Sequence, residues 1–108
     1  MLSGYRLMWM LVMFDLPVVT KQERHAANRF RHLLLDLGFQ RSQLSVYLRF
    51  CTSSTQVETL CKQVATGLPV GGKVHILQIT DKQYARTISF QGRLRQPSPK
   101  APDQFVLF

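Results

Sequence analysis

Acidic residues are scarce in this chain: six Asp and Glu stand against fourteen Lys and Arg over 108 residues, giving a formal net charge of +8. Most of the cations are Arg, the side chain whose fork matches phosphate. A small domain so short of acids meets a polyanion, and nucleic acid is the commonest one. Cysteine is sparse too. Cys51 and Cys61 lack CxxC spacing, which argues against a zinc site and a disulfide framework and fits a reduced, cytoplasmic setting. Long hydrophobic runs are missing: the longest, from Leu7 to Phe14, is too short to span a bilayer and carries no small-residue cleavage site. No basic amphipathic helix with exposed aromatics stands out, so no membrane partner is expected. Repeats and low-complexity tracts are absent, and the length fits one domain with a modest core.

What is present is a clear alternation of elements. Leu7 to Phe14 is apolar on both faces of an extended chain, which predicts a central strand that needs cover above and below. Asp15 ends it and Pro17 bars its continuation. Thr20 and Glu23 have capping-box spacing, opening a helix with Ala26, Phe30, Leu33, Leu34 and Leu37 at core spacing and Gly38 as its left-handed stop. Its other side carries Lys21, Arg24, Asn28, Arg29, Arg31 and His32, with hardly any acid. From Phe39 to Phe50 the pattern is extended, broken near Ser42 and Gln43, as a hairpin or a bulged strand. Ser53 or Ser54 opens a second helix with Val57, Leu60, Cys61, Val64 and Leu68 inward. A turn at 69–72 precedes a strand from Val74 to Thr80. A short turn at 81–84, an extra strand at 87–90 and Gly92 close the compact part.

The order strand, helix, strand, strand, helix, strand predicts an α+β, ferredoxin-like βαββαβ sandwich with an extra C-terminal strand. Residues 1–92 form the domain. Residues 93–108 form an extended tail, held open by Pro97, Pro99 and Pro102 and ending in four apolar residues, Phe105, Val106, Leu107 and Phe108, suited to docking on a partner. Because both helices cover one sheet face and the first strand is apolar on both, the bare face is expected to be buried in a two-fold homodimer. Trp9, Met10 and Phe14 then read as core or interface rather than as a base-stacking platform, since their neighbours are Leu, Met and Val.

Several stretches together resemble the small CRISPR-associated proteins that pair with the spacer integrase, the Cas-Two family. They are Met13 to Val18, Arg24, Phe30-Arg31, Leu33-Leu34, Gly38-Phe39, Gln43 to Tyr47, Thr80 to Tyr84 and Phe90 to Gly92. The sequence Asp15-Leu-Pro-Val18 is similar to members from type II systems. Phe14 departs from the Tyr that many members carry before the aspartate, and the tail matches no motif. The resemblance implies a homodimer that sits between integrase dimers, measures the incoming DNA, and is a metal-dependent endonuclease. Expected partners are a second copy, the integrase subunit and duplex DNA, with single-stranded RNA as a further nucleic acid. A toxin-like ferredoxin-fold protein that cleaves or binds RNA outside CRISPR is the competing reading.

Asp15 is the sharpest candidate for chemistry, both catalytic and metal-binding. A carboxylate just past a buried strand suits Mg²⁺, and a two-fold axis would let two copies of Asp15 share one ion. The plainer reading is a turn-forming Asp before Leu-Pro. No second carboxylate is placed as a base: Glu23 is used by its cap, Asp36 ends the first helix and Glu58 lies on the second. His25, His32 and His75 read as structural, and Ser45 has no visible base beside it. Lys21, Arg24 and Arg29 on the first helix, with Arg41 on the next strand, are the candidate nucleic-acid contacts. The free N–H groups of the helix start assist them. Such contacts give affinity through phosphate, little sequence preference and steep salt dependence.

Overall fold

The computed structural model describes residues 7–102. Strand β1, Met8–Asp15, lies at the centre of a four-stranded sheet, with β3, Val46–Cys51, on one side and β4, Lys73–Thr80, on the other. Strand β2, Gln40–Gln43, pairs outside β3, so the order is β2-β3-β1-β4 and every pairing is antiparallel. Helix α1, Lys21–Asp36, joins β1 to β2, and helix α2, Ser54–Thr66, joins β3 to β4. This α+β arrangement is consistent with the expected strand–helix alternation. The break expected near Ser42 is a bulge in β2, and the hairpin turns through Leu44 and Ser45.

Local sequence explains where the helices begin and end. Thr20 Oγ1 accepts from the Glu23 N–H at 3.1 Å, and Glu23 Oε1 accepts from the Thr20 N–H at 2.8 Å, so the capping box is complete. At the far end the Gly38 N–H donates to Leu35 O and the Phe39 N–H to Leu34 O, a Schellman closure in which Gly38 takes φ 88°. Arg49 Nε adds a 3.0 Å bond to Leu37 O. Helix α2 is capped by Ser53, whose side chain accepts from the Gln56 N–H.

One face of the sheet is closed by these helices. Met10, Val12 and Phe14 of β1 meet Ala27, Phe30 and Leu34 of α1 and Val57, Leu60 and Val64 of α2, with Phe39, Tyr47 and Cys51 filling between them. The stripe of α1 runs through Ala27 rather than the expected Ala26, which is half-buried beside it; Leu33 and Leu37 are half-buried flanks. Leu68 lies past the end of α2 and is exposed, because the helix stops at Thr66.

The C-terminal part corrects two expectations. Residues Asp81–Ala85 form a short helix, α3, because Thr80 and Gln83 make a second capping box where a simple turn was expected. The extra strand does not join the sheet: β5, Phe90–Gln91, pairs only with β6, Leu94–Arg95, in a small separate hairpin around Gly92. Gly92 is at φ 62°, the geometry of a tight hairpin turn, so the chain doubles back before it can extend along β4. The division expected at residue 92 falls inside this hairpin. Phe105, Val106, Leu107 and Phe108 lie outside the described residues.

Removing the ring of Phe30, 1% exposed and at the centre of the α1 contact, should cost about 3–5 kcal/mol as Phe30→Ala. Thr20→Ala should cost about 1 kcal/mol. Urea unfolding with an unchanged slope is the check; a loss at Thr20 as large as that at Phe30 would contradict this division between cap and core.

Candidate nucleic-acid and metal site on the open sheet face

Side chains alternate along β1, so Trp9, Leu11, Met13 and Asp15 project from the face the two long helices leave uncovered. Cross-strand partners extend this surface: Phe50, Leu48 and Val46 on β3, and Ile79, Leu77, His75 and Lys73 on β4. Leu11, Met13, Val46, Leu48 and Ile79 are only half-buried, and Leu77 is 46% exposed. One end of this apolar face is roofed within the chain. Helix α3 lays Tyr84 against Trp9 with ring centroids 4.1 Å apart, and Trp9 Nε1 donates to Asp81 Oδ1 at 2.9 Å. Trp9 is therefore buried by its own chain, and the uncovered stretch lies toward Asp15.

Asp15 is exposed at that end, in a cleft of about 440 Å³ lined by Met13, Phe14, Ser45, Val46, Lys73 and His75. The cleft is held by backbone: the Phe14 N–H donates to Ser45 O at 3.1 Å. Gly72, at φ 88°, packs so closely that a Cβ there would lie 2.6 Å from Asp15 O. Among the described residues no three potential metal ligands cluster, so one chain offers a single hard carboxylate. Mg²⁺ is held by one or two carboxylates with water completing its shell. The donor set thus fits half of such a site. Glu23 is absorbed by its cap, as expected, and Asp81 by Trp9.

The basic candidates do not form one cluster. Lys21, Arg24 and Arg29 are exposed on α1, in the layer behind the sheet from Asp15. Arg24 and Arg29 point about 140° apart around the helix. Arg24 folds back, its Nη1 donating to Val19 O at 2.7 Å, which fixes the entry loop. Arg29 lines a groove of about 430 Å³ with Leu16, Pro17, Gln22 and the 69–71 turn. Arg41 is exposed on the edge strand β2, opposite Tyr47. Arg31, expected on the polar side of α1, is half-buried instead, its guanidinium 5.7 Å from the Phe14 ring centroid while Phe14 stacks on Tyr47. Sequence reasoning passed over Lys73 and read His75 as structural, because the β1–β4 register that sets both beside Asp15 is not readable from spacing.

Residues 8–87 match the family described as CRISPR associated protein Cas2. The chain belongs to this family. It is similar to a CRISPR-associated endoribonuclease Cas2 of Paracidovorax avenae, 73% identical over 108 residues and covering all of both chains. A protein of the same name from Flavobacterium psychrophilum is 43% identical over 107 residues, covering 99% of this chain and 93% of that one. Another, from Parvibaculum lavamentivorans, is 43% identical over 101 residues, covering 94% of this chain and all of that one. Membership places the chain in CRISPR systems and sets aside the reading outside them. Among the described residues no helix is long and apolar enough to cross a membrane.

The roof over Trp9 carries a pH dependence. Burial, and then the Asp81 carboxylate, raise the Tyr84 hydroxyl above its ordinary value near 10. The folded chain thus binds this proton more tightly than the unfolded one. The stability it contributes is complete below about pH 10 and is lost as pH rises through the higher folded value. Emission of Trp9, the sole tryptophan, should change in an alkaline step that Tyr84→Phe removes; an unchanged step in that variant would contradict this.

Proposed function

We propose that the chain acts as a homodimer joined through its open sheet faces, serving CRISPR adaptation as a scaffold that bridges integrase dimers and holds duplex DNA. A phosphodiesterase centred on paired Asp15 accompanies this role. The observation that carries the reading is the apolar stripe of half-buried Leu11, Met13, Val46 and Leu48 with exposed Leu77, which ends in an exposed carboxylate. Apolar surface of this kind is covered at low cost by an identical copy, and the two-fold axis then doubles every residue near it. Doubling completes what one chain lacks, two carboxylates for one Mg²⁺.

Such an ion, when bound, supplies Lewis-acid stabilisation of phosphate charge and an activated water. The chain's own residues do the rest. Asp15 presents its carboxylate at the strand end, and the close approach of Gly72 to the Asp15 carbonyl and the Phe14 N–H bond to Ser45 O hold the backbone that carries it. Met13 and Val46 make one side of the cleft apolar and so strengthen electrostatic contacts beside them. Hydrolysis of RNA is the activity favoured by the endoribonuclease names of the relatives. DNA binding is assigned to other surfaces: Lys21, Arg24 and Arg29 of α1, and Arg41 of β2. Hence scaffolding does not require cleavage. The tail, with Phe105 to Phe108, is assigned to the integrase, where an extended apolar segment adds to a sheet edge.

Asp15→Asn separates the two roles. Cleavage of single-stranded RNA in Mg²⁺ should fall at least about a hundredfold, while co-purification with the integrase and duplex DNA persists. Full RNA cleavage by the variant would overturn the assignment of Asp15, and failure of the parent chain to co-purify with the integrase would overturn the scaffold.

A further inference from the structure

We propose that Lys73 and His75 of β4 form the phosphate-binding wall of the Asp15 cleft, receiving a nucleic-acid phosphate beside the carboxylate. The doubling of this wall rests on the paired-sheet reading above; the wall itself belongs to a single chain. Register makes the assignment. Asp15 pairs with Lys73 and Met13 with His75, so all four project from the open face, and direct cross-strand partners hold their Cβ atoms about 4.5–5.5 Å apart. The close packing of Gly72 on Asp15 O sets the start of β4 against the end of β1, which prevents Lys73 from slipping past Asp15.

Both side chains are exposed, both line the cleft, and no hydrogen bond or ion pair engages either within the described residues. Lys73 brings three donors and a full charge. His75 brings an N–H donor in either protonation state. Around them Met13 and Val46 supply apolar flanks that sharpen a charged contact. A carboxylate alone, or two facing across an axis, would repel a phosphodiester. Lys73 directly opposite Asp15 offsets that repulsion, and His75 two residues along adds a donor, so the pair offers the anion a seat.

A plainer role for Lys73 is to neutralise Asp15, and the test separates the two. Binding of a fluorescent single-stranded RNA, and of DNA of the same sequence, is measured by anisotropy in EDTA, with each variant checked for fold and mass. Lys73→Met and His75→Ala should each weaken binding of both strands by roughly five- to tenfold at low salt, and Lys73→Met should reduce the salt slope by about one. The same loss should follow when Lys73→Met is added to Asp15→Asn, where no acid remains to neutralise. Unchanged affinity in folded variants, a loss of RNA binding alone, or no effect of Lys73→Met in the Asp15→Asn background would each overturn the proposal. A parent chain that is monomeric, yet loses affinity on Lys73→Met, would sink the paired-sheet reading and leave the wall standing.

Discussion

Strand β1 must bury two faces, and its own chain covers only one and a half of them. Met10, Val12 and Phe14 are sealed beneath α1 and α2 with nearly no exposure. On the other face α3 closes over Trp9, but Leu11 and Met13 are left half-covered between Leu48 and Leu77. The hydrophobic effect makes that remainder costly to leave in water, on the order of 25 cal/mol for each Å² of apolar surface. The proposal of a second copy rests on this imbalance, and Asp15 stands at the margin of the surface such a copy would cover.

Charge is divided between two layers. The cations of α1 stand behind the sheet, while Asp15, Lys73 and His75 share the open face. The groups proposed for duplex DNA and those proposed for a phosphate in the cleft are therefore different sets. Six acids face fourteen Lys and Arg, and two of the six are engaged within the chain, Glu23 in a helix cap and Asp81 with Trp9, so the field is positive overall. Asp15 is the acid that remains at the end of the apolar stripe.

Much of this was legible in the sequence because the signals were local. Thr20 with Glu23, Gly38 after the last Leu of α1, and the unbroken apolar run of β1 each act through neighbours a few residues away, and each element stands where those signals put it. Spacing placed the inner stripe of α1 one residue early, on Ala26, because Ala26 and Ala27 are alike in composition and only packing chooses between them. What spacing could not supply was register. Whether Lys73 or Val74 stands opposite Asp15 depends on a fit between strands some sixty positions apart, and so Lys73 went unseen and His75 was read as structural, while Asp15 was marked by the turn at Pro17. The extra strand expected at 87–90 begins only at Phe90, and its partner, which spacing does not name, is the other arm of the hairpin around Gly92.

The mass of the chain in dilute solution, by light scattering at low micromolar concentration, tests most directly whether two open faces cover each other. The parent should weigh about twice the 12.5 kDa of one chain, and Leu11→Asp, which puts a charge into the middle of the stripe, should halve that mass while keeping the helical and strand signal. A parent that weighs as one chain, or a Leu11→Asp variant that remains double, would contradict it.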